Sequence, residues 1–238
     1  MEPARGPRVP VPVGDGVTSS TAARRPVQDS VKPKPKDLRA LAARDPLLGA
    51  AMARLPRFPG FPRPGVSHYG SHFHALGSAI VHQQLSGKVA KVIHDRVVAL
   101  TPGPRFPRPD EILTFTDAKL RAASLSRAKV LALKDLARHT TSGALPLARI
   151  SRLKDQTIID KLTAVRGIGE WSAQMFLLFR LGRLDIMPTG DLGIREGLRR
   201  LDGLEERPTP KELLTRSEPW RPLCSVASWV LWRLADEE

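Results

Sequence analysis

From Asp37 onward, apolar residues recur every three or four positions, and no useful length of chain alternates with period two. That spacing builds helices with one buried face and leaves nothing to line a sheet. Leu38, Leu41, Leu47, Leu48 and Met52 mark an amphipathic segment interrupted at Pro46. Phe73, Leu76, Ile80, Val81, Val89, Val92, Ile93 and Val97 predict one long helix or two consecutive ones through 71–100. Short helices are expected at about 110–114 and 117–124, and a clearer one at 126–139, where Val130, Leu131, Leu133, Leu136 and Ala137 share a side. Proline clusters from Pro56 to Pro64 and from Pro102 to Pro109 act as rigid connectors. The fold class expected is all-α, with many short helices and no internal repeat.

Residues 1–36 hold seven prolines and few large apolar groups, too little to offset the entropy of ordering them, so they are expected to form a flexible leader. Three acidic and seven basic residues give this leader a net +4, which leaves +10 of the formal +14 to residues 37–238. The Lys32-Pro33-Lys34-Pro35-Lys36 run is where a loose phosphate-binding arm would lie. Excess positive charge favours a polyanionic partner, nucleic acid first and an anionic membrane second. No apolar run approaches the ~18 residues of a spanning helix, and no apolar signal-peptide core stands at the N-terminus; a cytoplasmic or nuclear protein is expected. Cys224 is the single cysteine, which excludes an intramolecular disulfide and any multi-cysteine zinc or iron–sulfur site. His68, His72, His74 and His82 lie close in sequence, but no nearby cysteine or carboxylate completes a ligand set, so no metal centre is expected there.

Residues 155–202 carry most of the functional information. Ile158, Ile159, Leu162 and Val165 form the apolar face of a helix that must stop at Gly167-Ile168-Gly169, and a second helix starts at once with Glu170, Trp171, Ser172 and Ala173. Glycine permits positive φ and lets a polyanionic backbone approach exposed amides with no side chain in the way. The N-terminus of the second helix adds donors and partial positive charge at the same point. An ordinary αα-hairpin with glycine at a helix C-cap has the same local pattern, and a lone Gly-x-Gly would favour it.

Here it is not alone. The string Leu162-Thr163-Ala164-Val165-Arg166-Gly167-Ile168-Gly169-Glu170-Trp171-Ser172-Ala173 resembles the helix-hairpin-helix of a DNA repair superfamily. About twenty residues later comes Met187-Pro188-Thr189-Gly190-Asp191-Leu192-Gly193-Ile194-Arg195. The pair resembles the HhH-GPD base-excision DNA glycosylases, named for the hairpin and a Gly/Pro-rich loop ending in Asp. Ala79-Ile80-Val81-His82-Gln83-Gln84-Leu85-Ser86 resembles the segment before the lesion-facing loop in the AlkA-like 3-methyladenine branch. Pro219-Trp220-Arg221 followed by Trp229 resembles that branch's C-terminal helix. The resemblance spans roughly 37–234 and implies the glycosylase fold: two helical subdomains flanking a DNA-binding cleft, with the hairpin at about 158–182 and the catalytic loop at 187–192.

The resemblance also implies roles. Asp191 would be the essential carboxylate, although by local pattern alone it is an N-cap before a Leu/Ile/Arg helix; the two roles are compatible. A cationic alkylated base leaves with little acid help, so the demanding charge is the oxocarbenium-like sugar, which an ionised Asp191 would stabilise. Trp171 stands where bifunctional relatives carry a Schiff-base lysine, so a monofunctional enzyme is expected, with Trp171 a wall of the base pocket. Trp229 is expected to stack there too, whereas Trp220 and Trp232 are read as packing residues. Met175 and Leu192 are aliphatic where the family often has aromatics, which with 5% aromatic residues overall suggests a wider pocket. Gln84 would enter the gap left by a flipped base, with Leu85 the rival wedge, and Ser86 and Lys88 would meet phosphates, Ser86 being equally a helix cap. Gly167, Gly169 and Ser172 would bind the backbone phosphate of the hairpin. Ser126 opens a further family element as an N-cap. Backbone carbonyls at Val165, Ile168 and Arg166 would hold a monovalent cation, a structural rather than catalytic ion.

The function implied is a DNA glycosylase acting on alkylated bases of 3-methyladenine or 7-methylguanine type, monomeric, on double-stranded damaged DNA, with no cofactor. Two alternatives stand beside it. A glycosylase with lyase activity is opposed by Trp171 and the missing cysteine cluster. A non-catalytic hairpin module that recognises DNA structure would not need Asp191.

Overall fold

The computed structural model describes residues 31–61 and 70–237; the leader up to residue 30 lies outside the described residues, as does His68. The described residues include 31–36, part of the expected leader. Val31 pairs in both directions with Phe61 (N···O 2.8 and 3.3 Å), and α1 (Pro35–Arg44) starts with Pro35 in its first turn, where a missing N–H costs nothing. That bridge is the sole strand-like pairing among the described residues; everything else regular is helical, as the periodicity required. No helix among them is long and apolar enough to cross a membrane.

The helices follow in order: α2 (Pro46–Arg54), α3 (His72–His82), α4 (Gly87–Val98), α5 (Pro109–Thr114), α6 (Asp117–Ala122), α7 (Arg127–Thr141), α8 (Asp155–Thr163), α9 (Glu170–Phe179), α10 (Leu192–Asp202), α11 (Pro210–Arg216) and α12 (Cys224–Asp236). The segment predicted through 71–100 is thus two helices, parted at residues 83–86. Local chemistry sets the starts: Asp45, Ser71, Thr116, Ser126, Asp191 and Thr209 each cap a helix by accepting a backbone N–H.

The chain divides into two units, with the crossover inside α9. The first combines the described part of 1–67 with 177–237. Its core holds Leu41, Leu48, Met187, Ile194, Leu198, Trp220, Val230 and Leu231, brought together where α10 packs along α12. Asp45 is buried inside it and held on one oxygen by Arg216 (2.5 Å) and by the Trp220 indole N–H (2.6 Å). Burial alone would raise its pKa, but these partners and the Leu48 amide hold the carboxyl below its usual value, so the group stays ionised. The second unit spans 68–176 and packs α3 and α5 against α7.

Candidate active site

Asp191 closes the loop between α9 and α10. Its amide donates to Pro188 O (3.0 Å), which tightens the turn, and its carboxylate caps α10 through the Ile194 amide (2.9 Å to Oδ1). The same Oδ1 accepts the indole N–H of Trp232 at 3.0 Å. The residue is only 6% exposed. Trp232 in turn lies against Phe179, ring centroids 5.7 Å apart and planes 22° from parallel. Gly193 makes the approach possible: a β-carbon there would lie 3.1 Å from Trp232 Cδ1 and 3.2 Å from Asp191 Oδ1. Behind the loop, the Ser225 hydroxyl accepts from Ile186 N (3.0 Å) and donates to Arg183 O (2.8 Å), anchoring the entry to α12. A carboxylate fixed by a helix start and an indole needs no reorganisation to face developing positive charge.

Two tryptophans of α12 differ in their surroundings. Trp232, read from the sequence as packing, is the residue that reaches Asp191. Trp229, expected in the base pocket, packs partly buried against the core of its unit, edge-on to Phe58 at 5.9 Å. The two positions differ by less than one helical turn, so the crossing of α10 and α12, which no local pattern encodes, decides between them. Leu192, beside the carboxylate, is 44% exposed.

The hairpin lies in the other unit. α8 ends at Thr163, Gly167 turns the chain with φ +80°, and Ile168 N donates back to Val165 O at 3.1 Å. Val165 and Ile168 are buried and pin the turn from inside, while Gly167 and Gly169 face outward. The Val165 carbonyl keeps a second lone pair beyond the bond from Ile168, as a cation site there would need. Trp171, on the first turn of α9, is 41% exposed, a large indole surface left to water at a helix start. Ser172 and Met175 on the same helix are half-buried.

The loop 83–86 between α3 and α4 also lies in this unit. Gln84 is exposed and has φ +56°, a backbone conformation that favours glycine. Leu85 is 36% exposed. Ser86 stands at the N-cap of α4, yet its hydroxyl makes no capping bond, which departs from the cap reading. Ser126 does cap, accepting from Lys129 N at 3.2 Å. His74 and His94 approach with ring nitrogens 3.0 Å apart, but among the described residues no group of three or more His, Cys, Asp or Glu is placed to hold a metal.

A model of the HhH-GPD superfamily of base excision DNA repair proteins matches residues 78–222. The chain belongs to that superfamily. Among its curated relatives, the DNA-3-methyladenine glycosylase 1 of Schizosaccharomyces pombe is 36% identical over 182 residues, 76% of this chain and 80% of the relative. The DNA-3-methyladenine glycosylase of Saccharomyces cerevisiae is 32% identical over 202 residues, 69% of this chain and 67% of the relative. Among solved structures, the S. pombe 3-methyladenine DNA glycosylase in complex with abasic DNA matches with a TM-score of 0.69 and 34% identity, covering 83% of this chain and 95% of that one. A DNA-3-methyladenine glycosidase from Bacillus halodurans matches with a TM-score of 0.72 and 33% identity, covering 85% and 90%.

Within this HhH-GPD chain, the bond from the Trp232 indole to Asp191 is a contact that the sequence pattern does not announce; the small residue at Gly193 is its local signal. Hydrogen bonds to a charged group contribute about 1.5–3 kcal/mol. Trp232→Phe keeps a smaller aromatic ring and removes the donor, so base release should fall by about 10- to 100-fold. Single-turnover kinetics against the wild type check this, and an unchanged rate would leave the contact without a part in the reaction.

Proposed function

We propose that this chain is a monofunctional DNA glycosylase of the 3-methyladenine type, which excises alkylated bases from duplex DNA in base excision repair. The observation that carries the reading is the buried Asp191 carboxylate, held on one oxygen by the Ile194 amide and the Trp232 indole. The relatives' names supply the substrate class, and the loop supplies the chemistry.

The bond that breaks joins C1′ of the deoxyribose to the base nitrogen. An N-alkylated purine carries positive charge, so it takes the bonding pair and leaves neutral, with no general acid required. Positive charge then builds on C1′ and the ring oxygen, where the ionised Asp191 stabilises it. Water bonds to C1′ and gives up one proton, leaving an abasic site in an intact strand. Trp171 supports the monofunctional outcome because an indole has no amine lone pair to form a Schiff base with the sugar. Its exposed ring fits a stacking wall for a flipped cationic base, with Met175 one turn further along the same helix as an aliphatic neighbour.

The partner in this reading is double-stranded damaged DNA, bound by a monomer. Phosphate contacts fall to Gly167, Gly169 and Ser172 in the hairpin and to the Ser86 hydroxyl; the Val165 and Ile168 carbonyls would hold a monovalent cation, which would supply positive charge near the phosphate. Gln84, exposed in its loop, enters the gap left by the base; Leu85 beside it is the rival wedge.

Incubation of the purified protein with globally methylated DNA should release 3-methyladenine and 7-methylguanine, identified by mass spectrometry. Strands should stay uncut until alkali is added, and borohydride should trap no protein–DNA adduct. A trapped adduct would overturn the monofunctional reading.

A further inference from the structure

The insertion loop and the hairpin turn are 80 or more residues apart in sequence, yet three hydrogen bonds within one unit tie them to each other and to α7. Gln83, immediately before the strained Gln84, donates its side-chain amide to the Gly167 carbonyl at 2.8 Å. Lys129, on the first turn of α7, donates its ammonium to Val81 O at 2.7 Å, gripping the end of α3 from which the loop springs. Asp135, two turns further along α7, accepts the Arg166 amide at 2.8 Å on the other side of the same glycine. Between those two anchors Ala132 comes so close that a β-carbon on Gly167 would lie 3.1 Å from its own. The α7 anchors are themselves fixed: Ser126 caps the helix through the Lys129 amide, and Arg138 pairs with Asp135 at 3.0 Å.

Neither segment would hold its place alone. Residues 83–86 form a short, partly exposed loop, and one of them occupies a backbone region that side chains disfavour. Extrusion of a base requires the inserted side chain and the held phosphate to act on the same few nucleotides, and a misplacement of about 1 Å between such groups costs orders of magnitude in rate. Gln83 spans directly from the loop to the turn. Leucine is of similar size and lacks the amide that donates to Gly167.

We propose that Gln83 is a positioning residue for base extrusion, its side-chain amide locking the insertion loop to the hairpin turn so that wedge and phosphate anchor meet DNA as one rigid body. This rests on the roles given above to Gln84 and to the hairpin. Lys129 and Asp135 complete the brace from α7. Gln83 touches no reacting atom; it acts through the loop it fixes.

The test compares wild type with Gln83→Leu, which keeps size and loses the donor. Two duplexes carry 7-methylguanine, one paired with cytosine and one mispaired, because a mispaired base is already easier to extrude. On the paired lesion the single-turnover rate should fall about tenfold, and on the mispaired lesion by no more than about threefold. The melting temperature and the dissociation constant for undamaged duplex should stay as in wild type. A 2-aminopurine placed beside the lesion should show less unstacking fluorescence with the variant. Equal rates for variant and wild type overturn the proposal, as does a deficit equal on both duplexes, which would mark Gln83 as a structural residue only. Absence of base release by wild type would instead overturn the glycosylase reading, and the 2-aminopurine comparison would still decide the role of Gln83.

Discussion

Asp191→Asn should abolish base release while leaving the fold and most DNA affinity in place. Asparagine keeps the shape and the oxygen that caps α10 through Ile194 N and receives the Trp232 indole N–H, so the melting temperature should move by no more than a few degrees. What it removes is the negative charge. In a site where the carboxylate is 6% exposed, that charge acts on the oxocarbenium-like sugar with little screening. Loss of a single preorganised electrostatic contact typically costs 10²- to 10³-fold, and replacing a full charge by a dipole should cost at least about 10³-fold, or some 4 kcal/mol of barrier. Single-turnover release from methylated duplex, with binding measured in parallel on undamaged duplex, separates the two effects. A variant with full activity would remove Asp191 from the mechanism. A variant that loses activity and binding together would mean that the carboxylate serves the architecture of the loop and not the chemistry.

The difference between what the sequence made legible and what it did not follows the range of the interactions. Helix existence, the interruption at Pro46 and the caps at Ser126 and Asp191 depend on residues within four positions, and each is visible as a local pattern. The hairpin turn was legible for the same reason: Gly167 needs its positive φ whatever surrounds it. The match over residues 78–222 establishes the superfamily, whereas capping and catalysis by Asp191 look identical in one sequence. The tertiary contacts were not legible. Trp229 and Trp232 share a helix less than one turn apart, and only the packing of α12 on α10 tells which indole turns to the carboxylate. The bond from Gln83 to Gly167 spans 84 residues, and that from Lys129 to Val81 spans 48; neither leaves a periodicity to read. The bridge between Val31 and Phe61 is a further contact of this kind, and a proline-rich stretch gives no hint of such pairing.

Gly197→Ala should destabilise the protein and disable it together, because the methyl group has nowhere to go. Gly197 sits where α10 crosses α12, and a β-carbon there would overlap the backbone carbonyl of Leu231, with the Leu231 carbon and Cα close behind. A clashing side chain can rotate away; a helix backbone cannot. The crossing must open, which strips contacts from Ile194, Leu198, Val230 and Leu231, all within 1% of full burial. Overpacking of a well-filled core costs about 1–3 kcal/mol and more where backbone must shift, so a loss near 3 kcal/mol is expected, lowering the melting temperature by roughly 6–12 °C. Activity should fall as well, since Asp191 heads α10 and Trp232 follows Leu231 directly, so opening the crossing lengthens the 3.0 Å bond between them. Gly87→Ala is the control: it lies on the first turn of α4, a β-carbon there meets nothing within 4 Å, and it should hold or raise the melting temperature. Thermal unfolding of both variants, with base release measured below the transition, reads the two effects separately. If Gly197→Ala melts with the wild type, α10 and α12 do not pack at the distance that brings the indole to the carboxylate, and the positioning of Asp191 by Trp232 falls with it.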